Sequence, residues 1–200
     1  MPFADLTIRA FLEQTAAKQP APGGGAIAGV CGALGAALGQ MVVSYSLGKK
    51  SLAQHQSLFE DAGRRLERAR AMLLELADED AAAYGLVNEL SKLAEGNAER
   101  QQRLAAAQAT SVRVPLAMAA VGVELLRLFK ELCGKSNTHL RSDLAIASVL
   151  AEATARSAHW NVLVNAPLLA APQGDNAMKE GAMLVARATE LAREVEEACR

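Results

Sequence analysis

The stretch Gln19–Lys50, QPAPGGGAIAGVCGALGAALGQMVVSYSLGKK, decides the fold class. Three glycines follow Pro22, and no charged side chain occurs between there and Lys49. The run is long enough to cross a bilayer, with Lys49 and Lys50 as an anchor. Yet it is built from Gly and Ala, and it carries Gln40, Ser44 and Ser46. Hydrogens and methyl groups gain little from transfer to lipid. A tightly packed core helix, starting after Pro22 and ending near Leu47-Gly48, accounts for it better.

Within that helix Gly25, Gly29, Gly32, Ala36 and Gly39 recur at 4-3-4-3 spacing. Each Gly costs about 0.8–1.0 kcal/mol of helix propensity relative to Ala. A stripe of them implies close backbone approach to another helix, in this chain or in a second subunit.

The surrounding chain is also helical in pattern. It is rich in Ala and Leu, and aromatics make up only 4% of 200 residues, a balance that disfavours strands. A first helix runs from an N-cap at Thr7 to Lys18. The third segment is the most regular: Leu52, His55, Phe59, Ala62, Leu66, Ala69, Leu73, Leu76, Asp80, Ala83, Val87 and Leu90 keep an unbroken 3-4 spacing. A fourth runs from Ala98 to Cys133-Gly134, with Pro115 expected to kink or split it. Ser142 is the expected N-cap of a fifth helix reaching Asn165. After Pro167 and Pro172, a sixth begins near Asn176. The expectation is an all-α, single-domain bundle of about six helices over residues 1–200, with one long third helix.

A formal net charge of −1 gives no footprint for nucleic acid or an anionic membrane surface. Cys31, Cys133 and Cys199 are odd in number and form no CxxC pair, the pattern of reduced thiols in a cytoplasmic protein. The N-terminus lacks the basic and apolar regions of a secretory signal. His55, His139 and His159 share no metal-ligand spacing, so no metal site is expected.

Five groups of residues are candidates for chemistry. Pro22, Gly23, Gly24 and Gly25 open a helix with bare backbone, where amides favour anions and carbonyl oxygens; a simple turn would read the same way. Asp80 lies on the apolar seam, where desolvation raises a carboxyl toward general-base range. Its structural alternatives are a solvent opening or an ion pair with an arginine, while Asp78 and Glu79 are placed on the wet face. Asn161 and Asn165, four apart on a small-residue stripe, either fix helix register or read a flat heterocycle. Lys49 and Lys50 complement a helix C-terminus or receive a ligand's carboxylates. Ser142 and Asp143 read as a cap and a first-turn acid.

FLEQTAAKQPAPGGG, GALGAALGQMV, GKK, DEDAAAY, VPL at 114–116, RSDL at 141–144 and NVLVN at 161–165 occur in this order. Together they resemble the cyclodeaminase/cyclohydrolase family over nearly the whole chain. That family comprises the cyclodeaminase domain of formiminotransferase-cyclodeaminase and the bacterial methenyltetrahydrofolate cyclohydrolases. The resemblance implies an all-helical homodimer that takes a tetrahydrofolate derivative, with no cofactor beyond that substrate, no metal, no nucleic acid and no membrane. It implies Asp80 as the catalytic acid residue, with Asp143 next in line. Pro22–Gly25, Lys49, Lys50, Ser142, Asn161 and Asn165 are then the expected substrate contacts.

The expected reaction is hydrolysis of 5,10-methenyltetrahydrofolate to the 10-formyl compound. Cyclodeamination of 5-formiminotetrahydrofolate is the alternative, and a non-catalytic helical folate-binding dimer is the alternative of another class. The lack of an attached formiminotransferase domain points to the hydrolase. Three departures from the family pattern stand out: Ala26 follows the glycines where Ser is common, ELSKLAEGN, with Lys92, replaces the usual LPK, and the linker before RSDL is longer than usual.

Overall fold

The computed structural model describes all residues, 1–200, and contains six α-helices and no strand. They are α1 (Ile8–Ala16), α2 (Gly24–Ser44), α3 (Gln56–Lys92), α4 (Ala98–Leu132), α5 (Arg141–Asn165) and α6 (Gln173–Ala198), with short 3-10 turns between some of them. Helix α2 packs between α3 and α5, α4 lies behind both, and α6 closes the far side against α4 and α5. One cluster of buried side chains, centred on Phe59, Leu66, Leu73, Met118, Leu126 and Phe129, joins these helices. The all-α bundle of six helices with a long third helix is therefore the observed architecture.

The glycine stripe meets α3 and α5 of the same chain, not a second subunit. A Cβ on Gly29 would lie 2.6 Å from the Leu73 carbonyl oxygen, and one on Gly32 would lie 2.9 Å from both Leu73 Cδ1 and Thr154 Oγ1. Gly35 would meet the Ala147 carbonyl oxygen at 3.1 Å. These contacts run α2 antiparallel to α5: Gly24 is level with Asn161, and Gly35 with Ala147. Close approach of three backbones is what the missing side chains make possible. Helix α2 is long and apolar enough to cross a membrane, but 56% of its apolar window is buried inside the bundle.

Thr7 caps α1 as expected, its Oγ1 accepting from Ala10 N–H at 3.1 Å. The cap of α5 differs. Asn137 Oδ1 accepts from His139 N–H and starts a 3-10 turn, Thr138–Leu140, that runs directly into α5. The helix is thus already under way at Arg141, and Ser142 sits inside its first turn instead of capping it. The sixth helix likewise begins at Gln173, three residues before the expected start.

Pro115 does not split α4, which continues from Ala98 to Leu132. A proline has no N–H to give the carbonyl four residues earlier, here that of Ser111. Asn165 supplies the missing donor: its Nδ2 lies 2.8 Å from the Ser111 carbonyl oxygen. The buried helix keeps its backbone paired through a side chain from α5.

Candidate functional site

A cleft of about 250 Å³ opens at the N-terminus of α2. Its walls are Pro20, Ala21 and Gly23–Gly25 on one side, Asp80, Ala81 and Tyr84 from α3 on another, and Asn161 from α5. The first amides of α2 have no side-chain cap, so they remain open to a ligand.

Asp80 occupies the space a side chain at position 25 would fill. A Cβ on Gly25 would lie 1.9 Å from Asp80 Oδ2. The Asp80 carboxylate has no hydrogen-bond or ion-pair partner in the chain, which removes the arginine-pair alternative. Burial beside an apolar seam pushes its pKa up from 3.8 to about 6. A carboxyl balanced there takes and returns a proton near neutral pH.

Asn161 faces Asp80 across the glycines. Its Oδ1 would be 3.6 Å from a Cβ on Gly24, and its Nδ2 is buried without a partner. A buried amide donor left unpaired is poised for an acceptor on a ligand. Tyr84 lies one turn beyond Asp80 on α3 and is 47% exposed. Tyr84 is not among the residues expected from the sequence, although its i+4 spacing from Asp80 places it on the same face.

The other sequence candidates lie elsewhere. Asn165 bonds to the Ser111 carbonyl and does not line the cleft. Asp143 sits 18 residues from Asn161 on the same helix, about 27 Å along its axis. Because α2 and α5 are antiparallel, Ser142 and Asp143 fall level with the far end of α2. Lys49 is at that end too, lining a second cleft of about 310 Å³ with Ser51, Leu52 and residues 136–139. Lys50 follows on the exposed 3-10 turn. One chain thus brings Gly23–Gly25, Asp80 and Asn161 together, while Pro22 is buried and does not line the cleft, and Lys49, Lys50, Ser142 and Asp143 are held apart from it.

Asp78 is also placed differently from its expected position on a fully wet face. It is half-buried, and its Oδ1 accepts from Phe3 N–H at 2.9 Å, tying the N-terminal arm to α3. That arm continues through α1 into the Pro20–Gly25 wall.

The profile of the formiminotransferase-cyclodeaminase family matches residues 7–183. The chain belongs to that family. Within it, methenyltetrahydrofolate cyclohydrolase of Methylorubrum extorquens is 34% identical over 167 residues, covering 80% of this chain and 79% of its own. Formimidoyltransferase-cyclodeaminase of Mus musculus is 33% identical over 165 residues, and the chain spans only 30% of that longer protein. The crystal structure of formiminotetrahydrofolate cyclodeaminase from Thermotoga maritima superposes with a TM-score of 0.89 at 27% identity, covering 98% of this chain and 96% of the other. Of the family marks, the glycine end of FLEQTAAKQPAPGGG, the DEDAAAY stretch and Asn161 of NVLVN line the Asp80 cleft.

Proposed function

We propose that this enzyme acts in folate one-carbon interconversion and hydrolyses 5,10-methenyltetrahydrofolate to 10-formyltetrahydrofolate. The observation that carries the reading is the unpaired, desolvated Asp80 carboxylate set against bare α2 backbone in a cleft that a folate ring can enter. The likeness to the cyclohydrolase over most of both chains supports it.

The substrate carries a cationic amidinium carbon between N5 and N10. Asp80 as carboxylate attracts that cation and takes a proton from the attacking water. The resulting adduct breaks its bond from carbon to N5. N5 takes a proton back from the Asp80 carboxyl, and the hydroxyl gives one up to leave the formyl group on N10. One proton is released overall. Asn161 and the first amides of α2 hold the ring's polar edges in this arrangement.

Cyclodeamination is the second reading, favoured by the full-length match to the Thermotoga maritima protein. There N10 attacks the formimino carbon and ammonia leaves, with Asp80 carrying the proton between the two nitrogens. Two assays separate the readings: loss of methenyl absorbance with methenyl substrate, and its appearance with formimino substrate. Turnover in the first alone supports the hydrolase. Turnover confined to the second overturns it.

We also propose a cytoplasmic homodimer closed through the outer face of α2 and α5. Leu34, Trp160 and Val164 are 57%, 70% and 73% exposed there, and α2 contributes no charge. So large an apolar face on one side marks a contact surface. A monomeric mass in solution would remove this part of the proposal.

A further inference from the structure

The Asp80 cleft has two walls of opposite polarity. On one side stand the uncapped first amides of α2 and, from α5, the unpaired Nδ2 of Asn161. All of these are donors, and the chain leading into them carries the exposed Lys18. On the other side α3 contributes Asp80, Ala81 and Tyr84. Between Arg70 and Lys92 that helix bears no basic residue, only the acids Glu75, Asp78, Glu79, Asp80 and Glu89.

Tyr84 is the one aromatic ring lining the cleft, and it is half exposed. Four residues advance about 6 Å along a helix. Long helical side chains lean back toward the N-terminus, over the preceding turn. The Tyr84 ring therefore leans over the turn that carries Asp80. Its face is electron-rich and attracts a cation within about 6 Å of the ring centre, most strongly where water is excluded. A carboxylate and a π face one turn apart form one electronegative surface. A flat cation lying against the ring still reaches Asp80.

The folate proposed above has complementary halves. Its ring carbonyl is an acceptor, suited to the α2 amides and Asn161. Its reacting one-carbon unit is flat and cationic. The methenyl bridge is an amidinium cation, and the formimino group is a basic amidine that carries a proton at neutral pH. The two walls thus set which way round the ligand enters, with the carbonyl edge toward α2 and α5 and the one-carbon unit toward α3.

We infer that Tyr84 is a specificity-determining residue: with Asp80 it holds the cationic one-carbon unit, and it makes the cleft prefer that cation to a neutral folate. This rests on the folate reading and deepens it by naming the charge state the site selects. In hydrolysis the attack of water quenches the charge, so the ring favours the bound cation more than the transition state. Its loss then appears in KM and not in kcat.

The test compares two ligands of the same skeleton: 5,10-methenyltetrahydrofolate, with a cationic bridge, and 5,10-methylenetetrahydrofolate, with a neutral one. Affinities are measured in the Asp80→Asn background, by rapid-mixing fluorescence of the methenyl compound and by competition against it. Tyr84→Leu should lower the preference for methenyl over methylene by about three- to thirtyfold, and Tyr84→Phe should keep it within about twofold. With Asp80 intact, Tyr84→Leu should raise KM for the substrate turned over by a similar factor. Equal losses for both ligands would mean that the ring only packs against the folate, and the inference fails. An unchanged preference in Tyr84→Leu also overturns it, as does a Tyr84→Phe that behaves like the leucine variant. If Asp80→Asn binds neither ligand, the KM of Tyr84→Leu decides, and an unchanged value sinks the inference. A wild-type chain that neither binds nor turns over these folates brings down the folate reading itself. An active enzyme with unaltered ligand preference brings down the role of Tyr84 alone.

Discussion

Gly25 and Asp80 share one volume: a Cβ on the glycine would stand 1.9 Å from Asp80 Oδ2 and 2.2 Å from its carboxyl carbon. Gly25→Ala must therefore push the carboxylate out of its position. Turnover should fall by about 10²–10⁴-fold, the range for a lost general base, while the chain remains folded by circular dichroism. Near-normal turnover in this variant would show that Asp80 does not act from where it stands.

Asp80 gives a pH dependence of definite sign. As a base it must be ionised, so activity should rise as pH increases through about 6 and level off above. Stability runs the other way. Folding raises this pKa from 3.8 to about 6, so between those values the folded state holds more protons than the unfolded state. Stability contributed by the protonated group is full below about 4 and lost as pH rises through 6, by up to about 3 kcal/mol. Asp80→Asn should abolish most turnover yet melt at the same or a higher temperature at pH 7.5, with the advantage gone at pH 4. A lower melting temperature at pH 7.5 would point to a partner for the carboxylate after all.

Asn165 and Pro115 form a compensating pair around the Ser111 carbonyl. Asn165→Leu should strand that buried acceptor and cost about 1–3 kcal/mol. Pro115→Ala restores a backbone N–H four residues after Ser111, so in that background Asn165→Leu should be far milder. Chemical denaturation of the four proteins in the cycle reads the coupling directly. Additive losses would mean that the side-chain bond is not what replaces the proline's missing donor.

Gly29 offers the sharpest packing test. Its added Cβ would meet backbone, the Leu73 carbonyl oxygen at 2.6 Å, which cannot rotate away. Gly29→Ala should cost about 1–3 kcal/mol despite its better helix propensity. Gly85, with nothing within 4 Å, is the control: Gly85→Ala should be neutral or stabilising. Equal melting temperatures for Gly29→Ala and wild type would reject the close approach of α2 and α3.

Much of this arrangement is legible in the sequence because its causes are periodic. The 3-4 spacing from Phe59 to Leu90 shows a long helix and singles out Asp80 as the polar misfit on its buried seam, whereas Leu52 and His55, which continue the spacing, lie in the 3-10 turn before it. The small-residue stripe of α2 shows close packing. What it cannot show is which chain the stripe packs against, since glycine permits approach without naming the neighbour. Asn161 and Asn165 look equivalent by spacing, and their roles diverge only through Ser111, fifty-four residues before Asn165. Lys49 and Asp143 carry plausible chemistry at plausible spacing, and only the antiparallel course of α2 and α5 sets them apart from Asp80. Asp78 reads as a wet-face acid until the N-terminal arm is seen to fold back on it.

The uncharged length of α2 has a consequence during synthesis. It leaves the ribosome before α3 and α5, the helices that will enclose it, have been made. For that interval the chain displays a segment that passes the length and polarity requirements of a membrane anchor. Its Gly and Ala content, which close packing demands in the finished fold, also keeps this segment a poor competitor for lipid. Substituting its glycines by leucine would thus do two separate kinds of harm: a jammed interior, and a nascent chain drawn toward the bilayer.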